Sequence, residues 1–352
     1  MTSPPPAPQD PTDELGRELR PVSPWADAWR RLRRNRMALA GLVVVACYAL
    51  FCLGAPVLPI HPYAEQVVAH ENLPPSLRPA GELMLAARTG YLQRLRAAEN
   101  RAEPSAEERT ELADMARDIR TQAVHRRHYW LGTDELGRDM LSRLLYGGRI
   151  SILIGLVGTV TSMLLGVALG SIAGYAGGTV DNLIMRFVDI LYGLPYMLLV
   201  IIMMALFGRN ILNLFVAVAL VSWLTLCRVV RGQVISLKHA EFVEAARSMG
   251  ASPARIIFRH LTPNTLGVIV VFSTLLVPQF IMTESFLSFL GLGVSAPLAS
   301  WGSLVAEGAG VMSLYPWQLL GPAVAMTVFL FAMNFLGDGL RDALDPQGRR
   351  GA

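Results

Sequence analysis

The run Ile150-Ser-Ile-Leu-Ile-Gly-Leu-Val-Gly-Thr-Val160-Thr-Ser-Met-Leu-Leu-Gly-Val-Ala-Leu-Gly170-Ser-Ile-Ala-Gly-Tyr175 contains neither a charged residue nor a proline. At ~1.5 Å per residue, a helix of that length outreaches the ~30 Å hydrocarbon core of a bilayer. Backbone polar groups in lipid must be bonded internally, so only a helix or a closed barrel can span. Barrel strands are roughly ten-residue segments of alternating polarity, and this run does not alternate. It predicts a transmembrane helix.

Working outward, five more charge-poor runs have spanning length: Met37–Leu58, Ile190–Phe207, Ile211–Cys227, Leu266–Thr283 and Leu319–Leu336. The run Ser285–Ala306 is uncharged too, but Gly291, Gly293, Pro297 and Gly302 interrupt it. Short helices or a re-entrant turn fit it better than a seventh span. The expected fold is an all-α integral membrane protein with six transmembrane helices. Over the 352 residues only 16% are charged, against about 25% in soluble domains, in agreement with lipid as solvent.

Arginine placement orients the bundle. A cluster at Arg30, Arg31, Arg33, Arg34 and Arg36 precedes the first span, and the loop from Arg228 to Arg259 carries Arg231, Lys238, Arg247 and Arg255. The tail adds Arg341, Arg349 and Arg350, whereas Gly291–Pro316 has no basic residue and Phe207–Ile211 has only Arg209. Six spans with both termini cytoplasmic satisfy this distribution; a seventh would put the arginine-bearing tail outside. The chain then divides into a Pro-rich disordered tail (1–28), a basic anchor with the first helix (29–58), an external loop (59–148), a five-helix core (149–341) with a cytoplasmic loop (228–264), and a cytoplasmic tail (342–352). In the external loop, Glu82–Glu99 and a second limb opened by Ser105-Ala-Glu-Glu108 form a helical hairpin. Leu112, Met115, Ala116, Ile119 and Ala123 mark the second limb's apolar face.

Several function classes fall away. The one lysine, Lys238, sits in Ser-Leu-Lys-His, so the chain has no G-x-x-x-x-G-K-[ST] phosphate loop and no ATPase site of its own. A net charge of +4, clustered at loop ends, gives no support to nucleic-acid binding. Cys47, Cys52 and Cys227 lie in apolar runs without metal-ligand spacing and read as small apolar fillers. No catalytic constellation stands out.

The cytoplasmic loop reads as helix, turn, helix. Gly250 supplies a left-handed residue after the first helix, Ser252-Pro253 caps the second, and Pro263 should stop it. Phe242, Ala245, Ala246 and Met249 form a stripe at i, i+3, i+4 and i+7 that needs a partner surface.

Glu244-Ala245-Ala246 followed by Gly250 resembles the EAA signature of binding-protein-dependent ABC-transporter permeases. Other stretches resemble the dipeptide/oligopeptide/nickel branch: Leu131-Gly-Thr-Asp-Glu-Leu-Gly-Arg-Asp139, Tyr146-Gly-Gly-Arg-Ile-Ser151, Asp189-Ile-Leu-Tyr-Gly-Leu-Pro195, Ser288-Phe-Leu-Gly-Leu-Gly293, Ser300-Trp-Gly302, and Gly337-Asp-Gly-Leu-Arg-Asp342 with Asp345-Pro346. They occur in family order from about Trp29 to Arg350 and match the C-type inner-membrane subunit. The departures are a longer external hairpin and His260-Leu-Thr-Pro263 where His-Ile-Leu-Pro is common.

The resemblance implies a type I ABC importer permease-like bundle in a bacterial or archaeal plasma membrane. It implies a second, homologous permease subunit, two cytoplasmic ATPase subunits that bind ATP and Mg, and an external substrate-binding protein. It makes Phe242, Glu244, Ala245, Ala246, Met249 and Gly250 the ATPase-coupling surface. Peptides are the family's commonest cargo; nickel complexes, opines and sugars travel through similar permeases. A self-sufficient secondary transporter is the competing class, and would need internal repeats. An intramembrane enzyme would need polar catalytic residues at membrane depth.

Two acids remain. Glu284, at the outer end of the fifth span, suits either a hydrogen-bonded structural role or solute contact, because a buried acid must be compensated. Asp189 lies within reach of Arg186 at i−3, which suggests an intrahelical ion pair. His125 and His128 read as surface residues.

Overall fold

In the computed structural model, which describes residues 24–344 other than 102 and 209, Asp139 opens the longest helix. Its carboxylate accepts from Leu141 N at 3.1 Å and Ser142 Oγ at 2.8 Å, capping α5, Met140–Ala176. Gly177, at φ +64°, ends it. Before it come α1 (Pro24–Arg34), α2 (Arg36–Leu53), α3 (Ala80–Ala98) and α4 (Ala106–Thr121); after it come α6 (Gly178–Gly193), α7 (Tyr196–Phe207) and α8 (Ile211–Leu237). The short α9 (Glu241–Ser248) and the single turn α10 (Pro253–Arg255) lead into α11 (Thr262–Phe289), followed by α12 (Trp301–Val311) and α13 (Pro316–Leu344). Five helical segments are long and apolar enough to cross a membrane: α2, α5, α8, the α10–α11 unit and α13. The pair α6 and α7 supplies the sixth span, but bent by 79°.

That bend corrects the reading of Ile190–Phe207 as one helix. Pro195 drives the preceding residue out of the helical region, and Leu194 is extended at φ −84°, ψ 132°. The apolar run also conceals that the span's first half is α6, which starts at Gly178 and carries Asp181, Arg186 and Asp189.

A second correction concerns Pro263. It does not stop a helix: Pro253–Phe289 is continuous, through a π-helical stretch at Ile256–Leu261. Proline lacks an N–H and crowds the carbonyl four residues back, and a wider turn just before it accommodates both defects.

α5 is the central helix, packed along α8 and α11. Gly166, Gly170 and Gly174 form a small-residue stripe against α8, and a Cβ at Gly170 would lie 2.5 Å from the Cys227 carbonyl oxygen. On the other side α13 holds α2, with Ala38 fully buried, while Ala28 and Leu32 of α1 join Ala343 in one cluster. The segment read as a disordered tail thus turns helical at Pro24; residues 1–23 lie outside the described residues, as do Arg209, Asp345-Pro346, Arg349 and Arg350.

Residues between α2 and α5 form a layer over one end of the bundle. The hairpin is present as α3 and α4, with Ser105 Oγ accepting from Glu108 N at 3.2 Å. Leu112, Met115, Ala116 and Ile119 are half-buried, whereas Ala123 is exposed. Contrary to the surface reading of both histidines, His125 is buried: its Nδ1 lies 2.8 Å from His70 Nε2, and His70 Nδ1 lies 2.9 Å from the Tyr129 hydroxyl. His128 is exposed. The layer is bolted to the bundle by Arg143 of α5. Almost wholly buried, it donates to Asp134 at 2.6 Å and to Glu307 of α12 at 2.8 Å. Of the interrupted run Ser285–Ala306, the first part extends α11 to Phe289 and the last part begins α12, short and packed on α5, α11 and α13.

Candidate functional site

At the end of the bundle away from the hairpin, α9 stands on the spans like a foot. Its inner face is apolar: Val243 and Ala246 are buried, in one cluster with Leu226, Val230 and Val234 of α8 and Ile256, Leu261 and Ile269 of the α10–α11 unit. Gly250, at φ +79°, turns the chain, and Gly250 N donates to the Arg247 carbonyl. Ser252 Oγ accepts from Arg255 N and Pro253 occupies the first helical position. A Cβ at Gly250 would meet no atom within 4 Å, so its requirement is the left-handed backbone alone.

The outer face of α9 is unusual for a short extramembrane helix. Phe242 is 38% exposed and Met249 80%, with Ala245, Glu241 and Glu244 exposed around them. The predicted stripe therefore divides. Phe242, Ala245 and Met249 face outward, and Ala246 belongs to the buried base. Val243, which the stripe omitted, is what binds the foot to the spans; its signal was in the sequence, one helical turn before Ala246.

A second feature lies deeper, at the break between α6 and α7. There a cleft of about 350 Å³ opens between α8 and α11, lined in part by Tyr192, Ser222, Thr225, Gln279 and Thr283. The Tyr192 hydroxyl lies 2.8 Å from Thr225 Oγ1. Asp189 does not pair with Arg186: it accepts from Arg228 Nη2 of α8 at 2.6 Å, and the Arg228 guanidinium also stacks 4.2 Å above the Tyr192 ring. The i−3 spacing was a local signal, and it lost to a neighbour 39 residues away in the chain.

Glu284 is fully buried on α11. Its Oε1 accepts from Ser288 Oγ at 2.7 Å and Ser300 Oγ at 2.5 Å, which ties α11 to the start of α12. It lines neither the cleft nor an exposed face. Among the described residues no group of three His, Cys, Asp or Glu is placed to hold a metal ion.

A family model described as the inner membrane component of binding-protein-dependent transport systems matches residues 166–350. A second, the N-terminal TM domain of oligopeptide transport permease C, matches residues 23–75. The oligopeptide transport system permease protein OppC of Escherichia coli K12 is 42% identical over 332 residues, 94% of this chain and 94% of that protein. The chain belongs to the binding-protein-dependent transport permeases. The dipeptide transport system permease protein DppC of Bacillus subtilis is 39% identical to this permease over 325 residues, 92% of this chain and 86% of that one. A solved structure of the MetNI methionine ABC transporter in inward facing conformations is similar with a TM-score of 0.48 at 16% identity, covering 58% of the permease and 98% of that chain.

The permease is thus a multi-pass subunit of an ABC importer in the plasma membrane, a transport component and not an enzyme.

Proposed function

We propose that this permease forms half of the translocation pathway for peptides delivered by an external binding protein, and that α9 is where a cytoplasmic ATPase subunit drives it. Names of the relatives at about 40% identity support the peptide class. The reading places both termini and α9 in the cytoplasm, with a second homologous permease subunit beside this one. Two ATPase subunits bind ATP and Mg beneath them.

One observation carries the coupling assignment. Phe242 of α9 and Met249, the residue just past its end, are exposed while the helix's other face is locked onto α8 and the α10–α11 unit. Exposed apolar side chains on a firmly based helix suit a docking surface, and the alanine between them admits close approach by a groove. Glu244 and Glu241 offer the groove's rim an acidic contact. A push on the outer face passes through Val243 and Ala246 to the two helices that wall the cleft.

Transport into vesicles tests this. Gly250→Val forces a β-branched residue to φ +79°, a cost of roughly 1–2 kcal/mol that falls on the turn and not on the spans. Membrane abundance should stay near that of the parent and peptide uptake should collapse. Gly250→Asn, which tolerates the left-handed region, should retain much of the uptake. Normal uptake by Gly250→Val would make the loop a plain connector.

A further inference from the structure

The exposed faces of the spans are not alike. On α5 the exposed large side chains are aliphatic, among them Leu156, Val160, Leu164 and Ile172. The face shared by α6, α8 and α11 is different. Gln279 is exposed well inside the α11 span, and among the described residues its amide has no hydrogen-bond partner. Thr225 is exposed midway along α8, and Tyr192 is 46% exposed. Asp189 and Arg228 remain about half exposed even though they are paired. An amide or a half-exposed ion pair facing hydrocarbon would forfeit its hydration with nothing in return. This face therefore meets water or a polar occupant.

We infer that the cleft at the α6–α7 break is this subunit's solute-contact site, and that Gln279, Thr225, Ser222 and Tyr192 recognise the backbone of an extended peptide. The inference rests on the permease reading above and adds the residues and the chemistry. Hydroxyls and a carboxamide both donate and accept, as a peptide bond does, and none carries charge. The charged groups at the cleft's edge, Asp189 and Arg228, neutralise each other at 2.6 Å. Such a wall grips the main chain, common to every peptide, and leaves side-chain charge unread. The proline-broken α6–α7 pair places Tyr192, Leu194 and Tyr196, from both sides of the break, in the cleft wall.

The test begins from the assembled transporter with Cys47, Cys52 and Cys227 replaced by serine or alanine, whose peptide uptake is measured first. Gln279→Cys, Thr225→Cys and, as a lipid-facing control, Leu164→Cys are then exposed to a charged, water-soluble methanethiosulfonate. Cysteines at 279 and 225 should react, more slowly in the presence of excess cargo peptide, and the cysteine at 164 should not. If positions 279 and 225 are as unreactive as 164, the face is packed against another subunit and the site assignment is wrong. In parallel, Gln279→Leu should lower uptake about three- to tenfold, the range for one lost neutral hydrogen bond, and equally for cationic, neutral and anionic peptides. A loss confined to one charge class would overturn backbone recognition. A parent that takes up no peptide, yet labels at 279 and 225, would sink the cargo and leave the water-facing cleft standing.

Discussion

Arg231 donates Nε and Nη2 to the two carboxylate oxygens of Asp181, at 2.5 and 2.6 Å, and so clamps the first half of the broken span to α8. On α8, Arg231 lies between Thr225 of the cleft and Val234 of the foot's base. The pair has the geometry in which a guanidinium and a carboxylate bind with fixed orientation.

Removing one partner leaves a partly buried charge alone. Because the Arg231 side chain is still about one-third exposed, Asp181→Asn should cost on the order of 1 kcal/mol and not the 3–5 of a dry pair. Thermal unfolding of the detergent-solubilised permease should shift down by a few degrees. The swapped pair, Asp181→Arg with Arg231→Asp, should recover part of the loss.

The helix contact at Gly170 should be far less forgiving. A methyl group there meets the Cys227 carbonyl oxygen at 2.5 Å, so α5 and α8 must move apart, and overpacking of this kind costs roughly 1–3 kcal/mol. Gly170→Ala should reduce the yield of folded protein. Gly90→Ala on α3, where nothing lies within 4 Å, should be neutral or slightly stabilising. Fluorescence-detected size exclusion of the two variants makes the comparison.

The histidine pair gives the hairpin layer an acid limit. Burial, with the neighbouring His125 and Arg127, holds the His70 pKa at about 4 against an ordinary 6.5. The folded layer therefore keeps His70 neutral while the unfolded segment takes up a proton below 6.5. Its stabilising share is complete above pH 6.5 and is lost as pH falls from 6.5 toward 4. Hydrogen exchange of residues 80–129 in the full permease should accelerate across that window. His70→Gln should flatten the dependence.

What the sequence disclosed about the fold was whatever a local pattern can encode. Uncharged length located the spans, Ser105 and Ser252 marked helix starts, and Gly250 announced its left-handed turn. The break at Leu194-Pro195 was visible as a proline, but a proline alone does not encode its 79° angle. The π-helical stretch before Pro263 had no pattern to give it away. Partners across the fold were equally hidden: Asp189 chose Arg228 over Arg186, and His125 found His70 from 55 residues away. At the foot, helical periodicity located the helix but grouped Ala246 with the outer face, because at about 100° per residue Ala246 falls between exposed Phe242 and buried Val243 on the helical wheel. Gln279 was legible in principle, as one carboxamide within an apolar run.

The central claim is that the outer face of α9 seats the ATPase. A photo-cross-linking amino acid placed at Met249, in the assembled transporter, reads it directly, with Tyr91 on the exposed side of α3 as the control position. Irradiation should join the permease to the ATPase subunit from position 249 and not from 91. An ATPase that co-purifies and supports uptake, yet gives no cross-link from 249, would contradict the account.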